Sequence, residues 1–338
     1  MIISSGGGVP GFFSIMFQRI TSIENLVEAW EEFIKGKRHK RDVQGFLLHL
    51  MDNILALHRD LMEHAYRHGG YAAFAVSDPK PRSIHKAPVR DRLLHHAVHR
   101  VLYPPMNKRF IADSFSCRTG KGTHAALGRF QRFFYTVSNN NTKQCWVLKC
   151  DIRRFFASVH HETLFNILKK TIHDSDALWL LRQIIGSFYI GEYGRGLPLG
   201  NLTSQLFANV YMNEFDRYVK HTLKIKHYIR YADDFVIFSN DREELGQIIK
   251  PIREFLCDAL SLQLHEDKVV IETIGSGIDF LGWVHFPDHR VLRTSTKRRM
   301  LRKLQARGNN TATIASYLGL LKHGNTCKLE EEISNRNW

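Results

Sequence analysis

Asp233 and Asp234 stand side by side in the stretch HYIRYADDFVIFSN, residues 227–240, between two apolar, β-prone runs. Ile229 and Tyr231 precede them, and Phe235, Ile237 and Phe238 follow. Aspartate is common in turns, so a plain hairpin tip over 232–234 accounts for the pair. A cation site accounts for it too. Adjacent like charges repel unless a cation neutralises them, and Mg²⁺ prefers carboxylate oxygens and water. A hairpin tip can aim both side chains at one spot, whereas neighbours within a strand point to opposite faces. A pair of metal ions needs at least one more acid. Asp151 offers it, at the end of an apolar strand expected over 146–152 in QCWVLKCDIRRFFASV. Alone, Asp151 is an ordinary strand-end aspartate. If the two strands are neighbours in one sheet, the three carboxylates form a cluster. Two ions about 4 Å apart there would activate a 3′-hydroxyl and stabilise a leaving pyrophosphate.

The elements that must position these acids belong to a chain of 338 residues, 43% hydrophobic and 24% charged, which is a globular composition. That length suffices for one large core or two smaller ones. The formal charge of +15 favours a polyanionic partner, either nucleic acid or an acidic membrane surface. No apolar run approaches the ~20 residues of a membrane span. Five scattered cysteines without zinc spacing suggest reduced thiols and a cytoplasmic protein.

Residues 1–20 read as a flexible N-terminal extension, with Met16 an alternative start. TSIE, 21–24, has the pattern of a capping box opening a helix with Leu26, Trp30 and Phe33 on one side. Leu47, Leu50, Met51, Ile54, Leu57 and Leu61 recur at helical spacing. DPKPRSIH reads as a turn and extended segment. Helices are expected over 90–103, 206–219 and 242–260, with a strand over 269–274. Irregular alternation of strands and helices indicates an α+β fold.

Several blocks together resemble reverse transcriptases. YADDFVIF and LKCDIRRFF are similar to the palm. PKPRSIHKAPVRDRLLHHAV and SFSCRTGKGTHAAL resemble the fingers of prokaryotic enzymes. GLPLGNLTSQLFANVYMNEFD resembles the block before the active-site hairpin, and LQLHEDKVVIE and FLGW the blocks after it. They occur in the family's order. The resemblance implies a right-hand polymerase: N-terminal helices and fingers over 21–145, a palm of antiparallel sheet plus helices over 146–285, and a short basic thumb over 286–338.

The resemblance also implies roles. Asp151 and Asp233 would be the main ligands of two Mg²⁺ ions, with Mn²⁺ as a substitute. Asp234 completes the acidic site, and the Ile152 carbonyl is a further ligand. Lys80 and Arg82 would clamp the dNTP triphosphate, a fork and a point charge suited to phosphate. Phe156 would be a steric gate against a 2′-hydroxyl, while Phe155, its strand neighbour, would face the core. Lys268 would approach the pyrophosphate. Phe280, Leu281, Gly282 and Trp283 would form a primer grip; a buried hairpin with a close-approach glycine explains them equally well. Arg118 would meet template or primer. So would Lys297, Arg298 and Arg299, in a segment where residues 289–329 hold ten Lys or Arg and no Asp or Glu. Leu301 and Leu304 would give that helix its inward side.

In many reverse transcriptases the block at 198–200 reads P-Q-G, and the glutamine helps to position the nucleotide. Here it is Pro198, Leu199 and Gly200. An apolar side chain cannot donate that hydrogen bond, and nucleotide selection rests on differential binding. Ordinary packing also explains a leucine. The whole string GLPLGNLTSQLFAN is similar to diversity-generating retroelement enzymes. These copy a template RNA with errors at adenines, working on an RNA/cDNA duplex with a small basic accessory protein. Ala232 departs from their more usual methionine. The alternatives are a retron or antiphage-defence enzyme, or a catalytically silent RNA-binding relative. All would be cytoplasmic, in a prokaryotic cell or encoded by a phage.

Overall fold

The computed structural model describes residues 15–77, 81–308 and 310–335. Lys80 and most of the expected N-terminal extension lie outside the described residues. The described chain forms two compact units, neither of them continuous in sequence. One comprises residues up to 111, 153–216 and 255–262; the other comprises 112–152, 217–254 and the chain from 263 onward. The units therefore cut across the contiguous fingers, palm and thumb boundaries expected from the sequence, because packing rather than chain order defines them.

The first unit is mainly helical. Residues 16–20 are no loose extension: Met16–Thr21 is a helix with Met16 and Phe17 buried, and the Phe17 N–H donates to Asp174 at 2.8 Å. That helix also displaces the expected capping box. Thr21 is already helical and its hydroxyl donates back to the Phe17 carbonyl. The next helix, Ile23–Phe33, is capped by Ser22, whose hydroxyl accepts from the Asn25 N–H. It buries Leu26, Trp30 and Phe33 and packs on Val89–Asn107. Strands β1 (Ala72–Val76) and β2 (Arg82–Lys86) form an exposed antiparallel pair. Helices His161–Lys169, Ser175–Gly186 and Leu202–Arg217 follow.

The second unit holds an antiparallel sheet of β3 (Trp146–Asp151), β4 (Tyr228–Tyr231), β5 (Asp234–Ser239) and β6 (Val270–Thr273), in the order β4-β5-β3-β6. A smaller antiparallel sheet joins β7 (Ile278–Phe280), β8 (Trp283–His285) and β9 (Arg290–Leu292). Helix Thr123–Val137 lays Phe130 and Phe134 into the core shared with both sheets. The α+β architecture with an antiparallel sheet is thus as the sequence implies. The basic segment forms helix Thr294–Arg307. Its inward side is Met300 with Leu304, both fully buried at helical i, i+4 spacing, while Leu301 is only partly covered.

Helix Thr311–Leu321 ends in a turn at Gly324, which lies directly on the Trp283 ring. A Cβ at Gly324 would overlap that ring, and Trp283 is itself buried. Gly324→Ala is therefore expected to destabilise the protein by about 1–3 kcal/mol, as overpacking does. Chemical denaturation checks this; an unchanged midpoint would mean that the turn can move away from Trp283.

Candidate active site

The pairing of β3 with β5 ends at Asp151 opposite Asp234, and the pairing of β4 with β5 ends at Tyr231 opposite Asp234. Ala232 and Asp233 are thus the two residues of a tight hairpin turn. Ala232 takes φ +56°, a left-handed conformation that costs a non-glycine residue about 1 kcal/mol. Two strands away from each other in sequence are neighbours in space, which is the condition that the acid cluster requires. The Ile152 N–H donates to the Asp233 carbonyl at 3.3 Å, holding the end of β3 against the turn. The Asp151 carbonyl accepts from the His265 N–H at 2.8 Å.

The three carboxylates converge electrostatically. Burial, then Asp151 and Asp233, push the Asp234 carboxyl up to about 7, and Lys149 opposes them. Asp151 and Asp234 also share a side-chain hydrogen bond. Lys268 forms an ion pair with Asp151. It stands at the end of a short 3₁₀ turn, Glu266–Lys268, just before β6.

Two basic residues escaped the sequence reading. Lys149 lies two positions before Asp151 and so shares its face of β3. Its ammonium donates to the Asp279 carbonyl at 2.5 Å. Arg230 is 1% exposed, a fully buried guanidinium under the turn. It donates to the Ala232 carbonyl and to the Ser114 hydroxyl, each at 3.0 Å. Period-two spacing along β3 could have found Lys149. Arg230 gives no such signal, because its partner Ser114 is remote in sequence.

The expected nucleotide-side residues fall in the first unit, and backbone bonds tie them together. The Leu197 N–H donates to the Phe156 carbonyl at 2.7 Å. The His85 N–H of β2 donates to the Leu199 carbonyl at 3.0 Å, and the Asn201 amide returns a bond to the His85 carbonyl. Gly200 has φ +103°, and a Cβ there would meet Ile84 at 2.8 Å, so both conformation and space demand glycine. Leu199 is half-buried, and Arg82 is exposed on β2. Phe155 is buried and Phe156 half-buried, as expected, but for another reason. Both lie on a single helical turn, Phe155–Ser158, entered through Arg154 at φ +47°, and not on a strand.

In the second unit, Phe280 and Trp283 are buried as core, which leaves Leu281 and Gly282 as the accessible tip of the β7–β8 hairpin. Both tip residues have positive φ, as a tight turn of this hand needs. Arg118 is partly buried and donates to the Ser114 carbonyl. Lys297 and Arg298 are exposed and Arg299 partly buried on the basic helix.

Among the described residues no group of three or more His, Cys, Asp or Glu is arranged so that it could by itself hold a metal ion. The donor set nevertheless fits Mg²⁺. That ion uses one or two carboxylates and completes its shell with water and substrate phosphate. Burial first, and then the neighbouring Asp151 and Asp233, raise the Asp234 carboxyl, the environment in which a bound cation would favour its ionised form. Among the described residues no helix is long and apolar enough to cross a membrane.

Comparison with known proteins adds four findings. Residues 77–285 match the family described as reverse transcriptase (RNA-dependent DNA polymerase). Protein YkfC of Escherichia coli strain K12 is 25% identical over 327 residues, covering 83% of this chain and 84% of that protein. The group II intron-encoded protein LtrA of Lactococcus lactis subsp. cremoris is 22% identical over 62% of this chain and 44% of its own length. Among solved structures, apo telomerase from Candida tropicalis superposes with a TM-score of 0.52 at 12% identity, over 65% of this chain and 48% of that one. The chain spans less than half of LtrA and of the telomerase chain.

The Asp234 charge has a measurable consequence. Its native pKa lies well above that of an unfolded aspartate, so the native state keeps the proton to higher pH. In the presence of a chelator, stability should fall as pH rises from about 4 to about 7, by up to about 1.4 kcal/mol per pH unit. Asp234→Asn should flatten this slope and stabilise the metal-free protein at neutral pH. Unfolding titrations across this range, with chelator and then with Mg²⁺, provide the check; a slope that survives Asp234→Asn would assign it to another group.

Proposed function

The chain belongs to the reverse transcriptase family, and from that premise we propose that it makes error-prone cDNA from the template RNA of a diversity-generating retroelement. Leu199 carries this reading. It occupies the place of a nucleotide-positioning glutamine, and its carbonyl is fixed to β2 while its side chain is half-buried and apolar. A site that lacks a polar contact to the nucleotide discriminates less between right and wrong partners.

Asp151, Asp233 and Asp234 would hold two Mg²⁺ ions, with the Ile152 carbonyl as a further ligand. When bound, the ions supply activation of the primer 3′-hydroxyl and charge neutralisation at the leaving pyrophosphate. The chain's own residues do the rest. Lys268 exchanges its ion pair with Asp151 for contact with the departing phosphates. Arg82 and Lys80 bind the triphosphate, and Phe156 excludes a 2′-hydroxyl by bulk. Leu281 and Gly282 present the β7–β8 tip to the primer. Lys297, Arg298, Arg299 and Arg118 contact phosphates of the RNA/cDNA duplex, with the salt dependence that such contacts bring. A small basic accessory protein assists, and the fingers, palm and thumb act as the functional divisions of the chain.

Primer extension on an RNA template with Mg²⁺ and four dNTPs, followed by product sequencing, tests this reading. Errors are expected to concentrate opposite adenines; accurate cDNA would instead favour a retron or defence enzyme. Asp233→Asn should lower incorporation by about 1,000-fold or more while RNA binding persists. Near-normal incorporation by that variant would refute the ligand role.

Leu199→Gln should reduce misincorporation opposite adenine by about tenfold, the scale of one discriminating contact. The same sequencing readout applies, and an unchanged error spectrum would remove Leu199 from the fidelity argument.

A further inference from the structure

Residues 187–196 connect helix Ser175–Gly186 to the segment that carries Leu199, and they leave two aromatic rings in water. Tyr193 is 83% exposed and Tyr189 55% exposed, and Ile190 beside them is exposed too. The backbone beneath them is pinned. The Ile190 N–H donates to the Arg195 carbonyl at 3.0 Å, the Gly196 N–H to the Val159 carbonyl at 2.9 Å, and the His161 N–H to the Gly194 carbonyl at 2.9 Å. Tyr189 meets Tyr193 edge to face, with 5.6 Å between ring centroids. Large side chains left uncovered together on a fixed turn mark a contact surface.

Tyr193 lines a cavity of about 670 Å³ in the first unit, and Arg67, His160 and Arg182 line it too. The Arg182 guanidinium lies 3.9 Å from the centre of the Phe165 ring and donates to both oxygens of Glu162, the nearer at 2.7 Å. That pair neutralises the acid on the lining. The Arg182 side chain is half exposed, so Phe165 covers one face of this planar cation and the other is open. Arg67 is different, because its exposed guanidinium has no acceptor among the described residues. His160 caps helix His161–Lys169, and its Nδ1 accepts from the Thr163 N–H at 3.4 Å. The ring proton therefore sits on Nε2, a donor whose orientation the cap fixes.

A protein partner could cover the tyrosines, but it gives no use to an unpaired guanidinium beside a fixed imidazole donor. An unpaired strand of nucleic acid uses all four groups: flat bases for Tyr193 and Arg182, and a phosphate for Arg67 and His160. A duplex keeps its base faces stacked inside and offers none to a tyrosine. The formal charge of +15 favours the same class of partner.

We propose that this cavity and its tyrosine turn bind an unpaired stretch of RNA, on a site built from the first unit alone. A base stacks on Tyr193, its neighbour lies against the Arg182 plane, and the phosphate between them meets Arg67 and His160 Nε2. The occupant is RNA because the chain takes an RNA template, so the assignment rests on the function proposed above.

Fluorescence anisotropy of a short labelled oligouridylate with the full chain, in the presence of a chelator and without dNTPs, tests it. Tyr193→Ala is expected to weaken binding about fivefold or more, the scale of one lost stacked base, with thermal unfolding unchanged. Tyr193→Trp should keep the affinity and Tyr193→Leu should lose it, because only tryptophan offers a flat ring. Arg67→Gln should lower the slope of log affinity against log salt by about 0.7, the value for one phosphate contact on a single strand. Three results would overturn the proposal: full affinity in Tyr193→Ala, equal affinity in Tyr193→Leu and Tyr193→Trp, or an unchanged salt slope in Arg67→Gln. Any of these, with normal RNA binding by the unsubstituted chain, counts against this site alone. No saturable binding by the unsubstituted chain counts against both the site and the RNA-templated function.

Discussion

Like charges placed at the end of an antiparallel ladder set the terms for the second unit. The register that puts Asp151 opposite Asp234 also puts Asp233 in the adjoining turn. The backbone cannot separate them, because β3 and β5 are paired along their whole lengths. The surroundings answer this repulsion with cations rather than with distance. Lys268 pairs with Asp151, Lys149 moderates Asp234, and the buried Arg230 holds the turn through the Ala232 carbonyl. Removing one partner from a buried, hydrogen-bonded charge is costly, so Arg230 fixes the turn more firmly than a surface residue could.

The first unit solves a different problem, that of holding an irregular segment in place. Residues 196–201 form neither helix nor strand, yet backbone and side-chain bonds tie several of them to neighbouring elements. Gly196 donates to the Val159 carbonyl and Leu197 to the Phe156 carbonyl, while Leu199 and Asn201 close on His85. Loops that carry function keep their polar groups satisfied when scaffold strands and turns receive them. The close approach of Gly200 to Ile84 follows from the same web. Leu199 is therefore held in place through its backbone carbonyl, independently of its side chain.

Much of this was legible in the residues, and the failures share a cause. The helix expected over 242–260 forms over those residues, and the hairpin around Asp233 and Asp234 is where its β-prone flanks place it. These features depend on local pattern. The cap at Ser22 was missed because Met16–Thr21 is itself helical, which only tertiary burial of Met16 and Phe17 explains. Phe155 and Phe156 were read as strand because both favour it, but Arg154 in the left-handed region turns the chain into helix first. Met300 rather than Leu301 faces inward because contacts, not hydrophobicity alone, set the helix rotation. Arg230 depends on a partner far away in sequence, and no window of residues reveals it.

The acid cluster is also joined mechanically to the elements expected to hold the primer. Lys149, on the same face of β3 as Asp151, donates to the Asp279 carbonyl in β7. The Asp279 carboxylate in turn accepts from Arg293 Nε at 2.7 Å, and the Arg293 N–H donates to the Gly282 carbonyl at 3.0 Å. Arg293 is the residue immediately before helix Thr294–Arg307. One short chain of bonds thus runs from Lys149, two residues before Asp151, through the β7–β8 hairpin to the start of the basic helix. A small shift of that helix must strain this chain or move the hairpin tip, since packed elements transmit displacement rather than absorb it. Lys149, Asp279 and Arg293 thus link β3, the β7–β8 hairpin and the start of the basic helix within the second unit.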